Sequence, residues 1–224
     1  MIYRFLSWSF KKRVQRGLRA EVKSKAARQE PIRLIIGGAQ CFPYVGEPGT
    51  AYAGWLCTDI STLDALDPND WRRIFPPASL STILAEHVIE HWTKDQFRSF
   101  LGIVREFLLP GGVVRIAVPD GLHPSAEYIE SVRPGGTGPG ADDHKVLYNY
   151  RTLDQVVRQA GFAGTLLEYF DEQAQFRRTS WNVDDGLIQR SELHDSRNKE
   201  SPLAYTSLIM DCTLPRQPNS EQTW

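Results

Sequence analysis

Short apolar runs alternate with amphipathic stretches along most of the chain. Apolar and β-branched residues dominate positions 33–36, 80–85 and 113–118, and each run ends at glycine, proline or acidic residues. Runs of this length and ending are typical of buried strands in a parallel sheet. Positions 94–108 and 152–160 instead repeat their apolar side chains every three or four residues, as amphipathic helices do. Strands that alternate with helices predict an α/β protein with a doubly wound sheet.

Further runs complete this sheet. Positions 54–58 form a second strand, and positions 63–67 form a short third one. The last two strands, 165–170 and 204–212, are separated by a polar stretch, 177–198, that is too long for a simple hairpin. The predicted fold class is therefore α/β: a Rossmann-like, doubly wound, mostly parallel sheet with an antiparallel C-terminal strand.

The first strand ends in a glycine turn at Gly37 and Gly38, and Asp59 follows the second strand. Glycine lets the backbone approach a ligand closely, and a carboxylate can accept hydrogen bonds from both hydroxyls of a ribose. Dinucleotide-binding folds place an acidic residue about twenty residues after their glycines. The spacing predicts a cofactor that contains a nucleoside. The alternative is an ordinary buried turn, because the run does not match G-x-G-x-x-G.

The first 30 residues carry nine Lys and Arg against two acidic residues, Glu21 and Glu30. Apolar residues recur every four positions through residues 2–28 and predict a basic amphipathic helix. This helix either packs its apolar stripe on the domain or makes reversible contact with an anionic membrane surface. The predicted organisation has three segments: the basic helix at 1–30, the main domain at 31–214 and a flexible tail at 215–224.

The rest of the chain is acidic, with 17 basic against 25 acidic residues, which argues against nucleic acid as a partner. No apolar run reaches the ~18–20 residues that a membrane span needs, and the basic N-terminal stretch lacks the pattern of a signal peptide. Cys41, Cys57 and Cys212 have no C-x-x-C spacing, which favours reduced thiols. We expect a cytoplasmic protein, peripheral to the inner membrane if the N-terminal helix binds lipid.

Several of these strand-end segments occur in the order found in one known family. They are residues 34–40, 58–60, 85–91, 109–112 and 118–120, and residues 143–162 add a sixth match. In this respect the chain resembles the class I S-adenosylmethionine-dependent methyltransferases, in particular small bacterial members with an HVLEH…LKPGG…VPD pattern. The resemblance covers residues 32–212. It implies an enzyme with S-adenosylmethionine as cofactor and a small-molecule methyl acceptor.

The resemblance also implies which residues surround the cofactor. They are Gly37 and Gly38 beside the methionine part, Asp59 at the ribose, Leu66 and Asp67 beside the adenine, and Glu86 with His87 beside the sulfonium. The chain departs from the family pattern where Ile35 replaces an acidic residue and where Ala39 and Gln40 occupy glycine positions. These departures keep open an alternative, a Rossmann-like binding or partner module without catalysis.

Methyl transfer requires an aligned acceptor and removal of its proton. We predict His144 as the base, Tyr150 together with Tyr148 as residues that orient the acceptor, and Asp120 as a partner of an acceptor hydroxyl. His123 is predicted to be a surface loop residue. The predicted acceptor is a small hydroxylated molecule, such as a sugar or a surface-glycan precursor, and O-methylation is the expected reaction; this acceptor rests on the family resemblance.

A rival interpretation concerns the residues after the strand at 80–85. His87, Glu90 and His91 match H-x-x-E-H, a zinc-protease motif in which both imidazoles bind one Zn²⁺, with Glu168 as a distant third ligand. That motif requires a helix, whereas here it directly follows a strand-like run. We therefore expect no metal, and a zinc hydrolase remains a remote alternative.

Overall fold

The computed structural model describes residues 8–38 and 52–215. Within them, the strands are β1 (Arg33–Ile36), β2 (Leu56–Cys57), β3 (Leu80–Glu86), β4 (Leu108–Pro119), β5 (Ala163–Phe170), β6 (Phe176–Arg178) and β7 (Ser207–Thr213). The α-helices are α1 (Trp8–Ala27), α2 (Pro68–Ile74), α3 (Lys94–Phe107), α4 (Ala126–Val132) and α5 (Tyr150–Gln159). No described helix has the length and apolar character to cross a bilayer.

The strands form one sheet in the order β2-β1-β3-β4-β7-β5-β6. The pairs among β2, β1, β3 and β4 are parallel, whereas β7 runs antiparallel to both of its neighbours, β4 and β5. The sheet therefore has a parallel half that ends at β4 and a last strand inserted in the opposite direction. This architecture confirms the predicted Rossmann-like, mostly parallel sheet with an antiparallel C-terminal strand.

Local sequence explains the crossover helices. Thr93 caps α3 by accepting a hydrogen bond from the backbone N–H of Gln96, whose side chain accepts from the backbone of Thr93. Asn149 and Thr152 form the same reciprocal arrangement at α5. Such capping boxes satisfy backbone donors that a helix otherwise leaves free. The buried side of α3 carries the periodic apolar residues Phe97, Phe100, Leu101, Val104 and Phe107.

The two faces of the sheet are covered differently. Buried residues of α1, α2, α3 and α5 join one large apolar cluster with alternate sheet residues such as Leu34, Ile83 and Ile116. On the other face, Ile35 and Leu84 belong to a second cluster. Within the described part of the chain, no residue of an α-helix belongs to that second cluster; its cover comes from tryptophan and tyrosine side chains near β2 and from Trp181, Leu187 and Ile188 of the polar stretch.

The predicted third strand at 63–67 is wrong, because these residues form turns. The Asp64 carboxylate accepts the backbone N–H of Leu66, and Asp67 caps α2 by accepting the N–H of Asn69. Short acidic side chains that bond to nearby backbone compete with the hydrogen bonds of a strand. Strand β2 is accordingly the edge of the sheet in the described residues.

Helix α1 packs against the domain. Val22 is buried, Gln15 donates to the backbone oxygen of Thr62, and Lys11 pairs with the buried Asp70 of α2. The predicted helix at 2–28 is thus confirmed for Trp8–Ala27, and its first residues lie outside the described part. The predicted tail also lies outside it, from residue 216 onward.

Candidate functional site

The carboxyl ends of β1, β2, β3 and β4 meet at one edge of the sheet because these strands are parallel. At the end of β1, Gly37 has φ +68°, and a Cβ atom there would lie 2.4 Å from Cγ2 of Val88. A Cβ atom on Gly38 would lie 2.2 Å from Sγ of Cys57. Both positions therefore require glycine, for backbone conformation at the first and for close packing on neighbouring segments at both.

Asp59 follows β2 beside this turn, since the Gly38 N–H donates to the backbone oxygen of Thr58. The Asp59 carboxylate accepts hydrogen bonds from the Ser61 N–H and hydroxyl and from the Thr62 hydroxyl, and all three use its Oδ1 atom. Asp59 thus lies at the predicted edge, in a turn that holds the side chain in one orientation.

Glu86 ends β3, and its carboxylate is engaged by the polar stretch. Oε2 accepts the N–H of Gln189 and Oε1 accepts the N–H of Arg190, at 3.2 and 2.8 Å. A small cavity of about 20 Å³ lies between Glu86, Gln189 and the glycine turn. A cavity of this size holds about one water molecule.

Leu66 and Asp67 lie in the turn before α2. Leu66 packs against the large apolar cluster, and the Asp67 side chain binds the backbone N–H and the side-chain amide of Asn69. Neither residue lines the small cavity beside the glycine turn. They remain predicted adenine neighbours.

A larger cavity of about 660 Å³ opens beyond β3 and β4. His87, directly after Glu86, has φ +53° and lines this cavity together with Tyr128, Arg190 and Tyr205. Histidine, arginine, serine and tyrosine side chains give the cavity a polar character. The other polar side chains that line it are His91, Ser125, Glu127, Ser131, His144 and Arg197.

Glu90 is buried behind the wall of this cavity. One of its carboxylate oxygens, Oε1, lies 3.1 Å from Nδ1 of His87, a close approach that lacks hydrogen-bond geometry. Burial alone raises the pKa of Glu90, but its interactions with His87 and His91 outweigh burial and lower the pKa below its usual range. Glu90 is therefore a buried anion whose nearest partners are imidazoles.

Of the three predicted catalytic residues, His144 lines the large cavity. Its Nδ1 lies 2.7 Å from the backbone oxygen of Val132. A carbonyl oxygen only accepts hydrogen bonds, so this contact places a proton on Nδ1 and leaves Nε2 of a neutral ring as a base or ligand.

The structure does not bring Asp120 and Tyr150 into this cavity. Asp120 is fully buried, and its two oxygens accept the backbone N–H groups of Leu122 and Phe170. The Tyr150 hydroxyl donates to Glu172 in a solvent-exposed contact, and Tyr150 does not line the cavity. Their catalytic roles stay predictions without geometric support.

Two further residues singled out in the sequence, His123 and Tyr148, are buried in the structure. His123 is buried, stacks on Tyr128 with ring centroids 3.9 Å apart, and contacts the backbone oxygen of Leu203, so its prediction as a surface residue is wrong. Tyr148 is also buried, with its ring against Phe97 of α3. Burial raises the pKa of Tyr148.

The H-x-x-E-H segment does not form the arrangement of the zinc-protease motif. Nε2 of His87 lies 3.0 Å from the Ser207 hydroxyl, and Glu168 binds Trp181 and the backbone of Glu192. Within residues 8–38 and 52–215, the one group of three side chains spaced to hold a metal combines Glu90 and His91 with His144 instead.

The polar stretch supplies residues to the large cavity that the sequence alone does not identify as part of the site. Arg197 forms an ion pair with Asp195, and its guanidinium lies 3.4 Å from the ring centroid of Tyr205. Arg190 and Arg197 belong to a polar stretch in which arginine is most often solvated, and nothing in the sequence distinguishes Tyr128 and Tyr205 from core residues. An aromatic residue in a predicted helix or strand is most often part of the core.

No protein-family model and no curated protein matches this sequence. Similar solved structures include an S-adenosylmethionine-dependent methyltransferase from Archaeoglobus fulgidus, at 13% identity and a TM-score of 0.44, covering 90% of this chain and 92% of that one. A methyltransferase from Thermotoga maritima, described as a possible histamine N-methyltransferase, matches at 14% identity and a TM-score of 0.48, with 93% of each chain covered.

A third similar structure is the 1,6-didemethyltoxoflavin-N1-methyltransferase of Burkholderia thailandensis, which was solved with S-adenosylhomocysteine. It matches at 12% identity and a TM-score of 0.43 and covers 90% of this chain and 80% of that one. At this level, similarity concerns the fold. The sheet order of the chain itself agrees with the Rossmann-like, mostly parallel sheet expected from its sequence.

Proposed function

We propose that this protein is an S-adenosylmethionine-dependent methyltransferase that acts on a small polar acceptor. The observation that carries this proposal is the position of two consecutive residues at the end of β3. Glu86 borders the small cavity beside the glycine turn, and His87 lines the large polar cavity. A cofactor on one side of this strand end and an acceptor on the other would meet at β3, where open α/β sheets bind their ligands.

The residues at the first side fit the cofactor chemically. The glycine turn at Gly37 and Gly38 exposes backbone at the end of β1, and Asp59 offers a carboxylate to ribose hydroxyls. S-adenosylmethionine, when bound, supplies a methyl group on a sulfonium centre. Glu86 borders the small cavity on this side, and its carboxylate would stabilise the positive charge of a bound sulfonium.

The cavity at this side is much smaller than the ~300 Å³ or more of a typical small-molecule site. The segment at Gln189 and Arg190 donates two backbone hydrogen bonds to Glu86, which narrows the space in front of the glycine turn. Cofactor binding therefore requires this segment to release Glu86. We expect the polar stretch to shift when the cofactor binds.

At the acceptor side, His144 is the best placed base of the described residues. Its Nε2 atom is unprotonated when the ring is neutral, and the ring lines the large cavity. Removal of a hydroxyl proton by His144 would prepare the acceptor oxygen for an in-line displacement. Arg190 and Arg197 line the same cavity and favour an acceptor that carries hydroxyl and anionic groups, for which a sugar or glycan precursor is one candidate.

The first test is binding of S-adenosylhomocysteine to the full-length protein by calorimetry. Asp59→Ala should weaken binding by roughly 1.5–3 kcal/mol, because hydrogen bonds from ribose hydroxyls to a charged acceptor are lost. Asp95→Ala, at an exposed position in the first turn of α3, is the matched control and should bind like the wild type. Equal affinity in a folded Asp59→Ala protein would remove Asp59 from the site.

The second test is methyl transfer to sugars, phenols and carboxylates, followed by release of S-adenosylhomocysteine. We expect turnover with at least one hydroxylated acceptor.

A second candidate function is a binding module without catalysis. The two backbone hydrogen bonds that hold Glu86 favour this candidate, because a stable closed segment would exclude the cofactor. No saturable binding of S-adenosylhomocysteine at millimolar concentration would support the module and contradict the methyltransferase.

A further inference from the structure

Two separate segments are joined behind the large cavity. Ile89–His91 forms a short 3₁₀ turn after β3, and the loop before α5 passes next to it. The backbone oxygen of Glu90 accepts hydrogen bonds from the N–H groups of both Lys145 and Val146, at 2.7 and 3.2 Å. These bonds fix His144 next to His91, and the two imidazole rings meet edge to face with centroids 4.8 Å apart.

The two imidazole rings of this cluster are arranged so that ring nitrogens can bind a cation. Nδ1 of His144 donates to the backbone oxygen of Val132, which leaves Nε2 as a lone-pair donor. Ring nitrogens that bind metals commonly have this arrangement, with the other N–H held by a carbonyl or carboxylate. Nδ1 of His91 is buried without a hydrogen bond and lies 3.5 Å from the exposed carboxylate of Asp143.

Glu90 provides an independent sign that a positive partner belongs here. Its side chain is 1% exposed, and its nearest partner is Nδ1 of His87, 3.1 Å from Oε1. Neither carboxylate oxygen has a hydrogen bond within the described residues. A buried carboxyl group without hydrogen bonds is costly, and native proteins satisfy such groups with a partner, ordered water or an ion. One ligand atom each from Glu90, His91 and His144 lies within 4.8 Å of the other two.

We propose that Glu90, His91 and His144 bind a divalent transition-metal cation, with Zn²⁺ as the probe ion. Two imidazoles and one carboxylate form a ligand set that suits Zn²⁺ and related ions and leaves a coordination position open. Ligand atoms around tetrahedral Zn²⁺ stand about 3.4 Å apart, given bonds of about 2.1 Å. The ligand atoms lie within 4.8 Å of one another, so metal binding requires the partly exposed His91 and His144 side chains to move closer to Glu90.

This site differs from the zinc-protease interpretation of the sequence. His87 is not a ligand, because its ring lies between Ser207 and Glu90, and His144 comes from a distant loop. His91 and His144 also line the large cavity, so the open position of the metal would face bound acceptor. A catalytic use of the metal rests on the proposed methyl transfer. In that reaction the cation would acidify an acceptor hydroxyl in place of His144 acting as the base. The metal site itself does not depend on this catalytic use.

The test uses full-length protein without a histidine tag, stripped with a chelator and then titrated with Zn²⁺. We expect about one Zn²⁺ per chain by elemental analysis after dialysis. His144→Ala should weaken Zn²⁺ binding at least tenfold, and His91→Ala should do the same. His194→Ala, which removes an exposed histidine outside the cluster, is the matched control and should bind Zn²⁺ like the wild type.

Glu90→Gln is a harder variant because the side chain is buried, so a melting curve must accompany it. Co²⁺ provides a second readout that does not depend on affinity, since its visible absorption reports nitrogen and oxygen ligands and should change in His144→Ala. Substoichiometric Zn²⁺ in the wild type, or equal binding by a folded His144→Ala protein, would overturn the site.

The outcomes also separate this inference from the proposed function. Stoichiometric Zn²⁺ that is lost in His144→Ala, without methyl transfer to any acceptor, supports the metal site and contradicts the enzyme. Methyl transfer by a wild-type protein that binds no stoichiometric Zn²⁺ in the titration contradicts the metal site and supports the enzyme.

Discussion

At the scale of single residues, Asp120 shows how burial changes a carboxyl group. Desolvation raises its pKa to about 6, against the opposing effect of the two backbone N–H groups that it accepts. The folded protein therefore binds this proton more tightly than the unfolded chain. In the range between the usual pKa of aspartate and about 6, stability contributed by protonated Asp120 is lost as the pH rises.

We predict that this loss appears when the wild type is compared with Asp120→Asn across pH. Asparagine does not titrate, so the difference in free energy of unfolding, wild type minus variant, should fall by roughly 2–3 kcal/mol from pH 4 to pH 7. Urea denaturation at several pH values measures it. A difference that stays constant with pH would show that Asp120 titrates normally in the folded protein.

At the scale of elements, a buried arginine of β4 helps to attach the polar stretch after β6 to the sheet. Arg115 of β4 makes two hydrogen bonds of 2.8 Å to Asp211 on the adjacent strand β7. It also donates to the backbone oxygens of Asn182 and Gly186, and its guanidinium lies 5.0 Å from the ring centroid of Trp181. The start of the stretch that reaches Glu86 is therefore anchored by a buried charge of the sheet, in addition to the hydrogen bonds at Glu86 and Glu168.

Arg115→Met should lower the free energy of unfolding by about 3–5 kcal/mol, because removal of one partner from a buried ion pair leaves the other charge uncompensated. Chemical denaturation measures this loss, and limited proteolysis should show faster cleavage within residues 179–206. The same change at exposed Arg98 of α3 is the control and should cost less than about 1 kcal/mol. Wild-type stability in Arg115→Met would contradict this role.

Helix α1 presents a second element-scale question, whether it packs on the domain or serves as an anchor. The contacts of Lys11, Gln15 and Val22 favour packing. Asp70 is buried, which raises its pKa, but hydrogen bonds with Lys11 and other partners outweigh burial and lower the pKa overall. Deletion of residues 1–28 removes that partner and should lower the melting temperature. An unchanged melt of the truncated protein would show that α1 contributes little to stability.

At the scale of the whole molecule, charge is unevenly distributed. The first 30 residues are basic and the rest is acidic. Not all basic residues of α1 face the domain, because Arg13, Arg16 and Arg19 lie on the exposed side of the helix. A basic exposed face next to an acidic body suits reversible contact with an anionic membrane surface, which we retain as a prediction.

A variant with Arg13, Arg16 and Arg19 changed to Gln tests this contact without disturbing the packed side of α1. Each arginine near an anionic surface contributes ~1 kcal/mol, so the variant should bind phosphatidylserine vesicles roughly a hundredfold more weakly. Co-sedimentation at low and high salt measures binding, and salt should release the wild type because it screens the attraction. Neutral vesicles should bind neither protein.

The control for vesicle binding carries the same charge change elsewhere. Glutamine at three exposed basic positions of α3 and α5, Lys94, Arg98 and Arg158, should leave vesicle binding close to that of the wild type. Equal loss in both variants would mean that net charge, and not the face of α1, governs the attraction.

The sequence by itself determined the elements whose signal is local. Apolar runs located β1, β3 and β4, the helical pattern of apolar side chains located α3 and α5, and the glycine turn with Asp59 located one edge of the sheet. These features depend on neighbours within a few positions, so they can be recognised in the sequence alone. Residues 63–67 were wrongly predicted as a strand, because the hydrogen bonds of their acidic side chains to nearby backbone compete with strand pairing.

Only the tertiary structure decided which distant residues meet. Strand β7 lies between β4 and β5, the polar stretch covers one face of the sheet, and its backbone closes over Glu86. The same folding joins Glu90 and His91 to His144 across more than fifty residues, while it buries Asp120 away from the cavity. Such contacts arise from the packing of segments that are remote in the chain, and no spacing rule within one segment contains them.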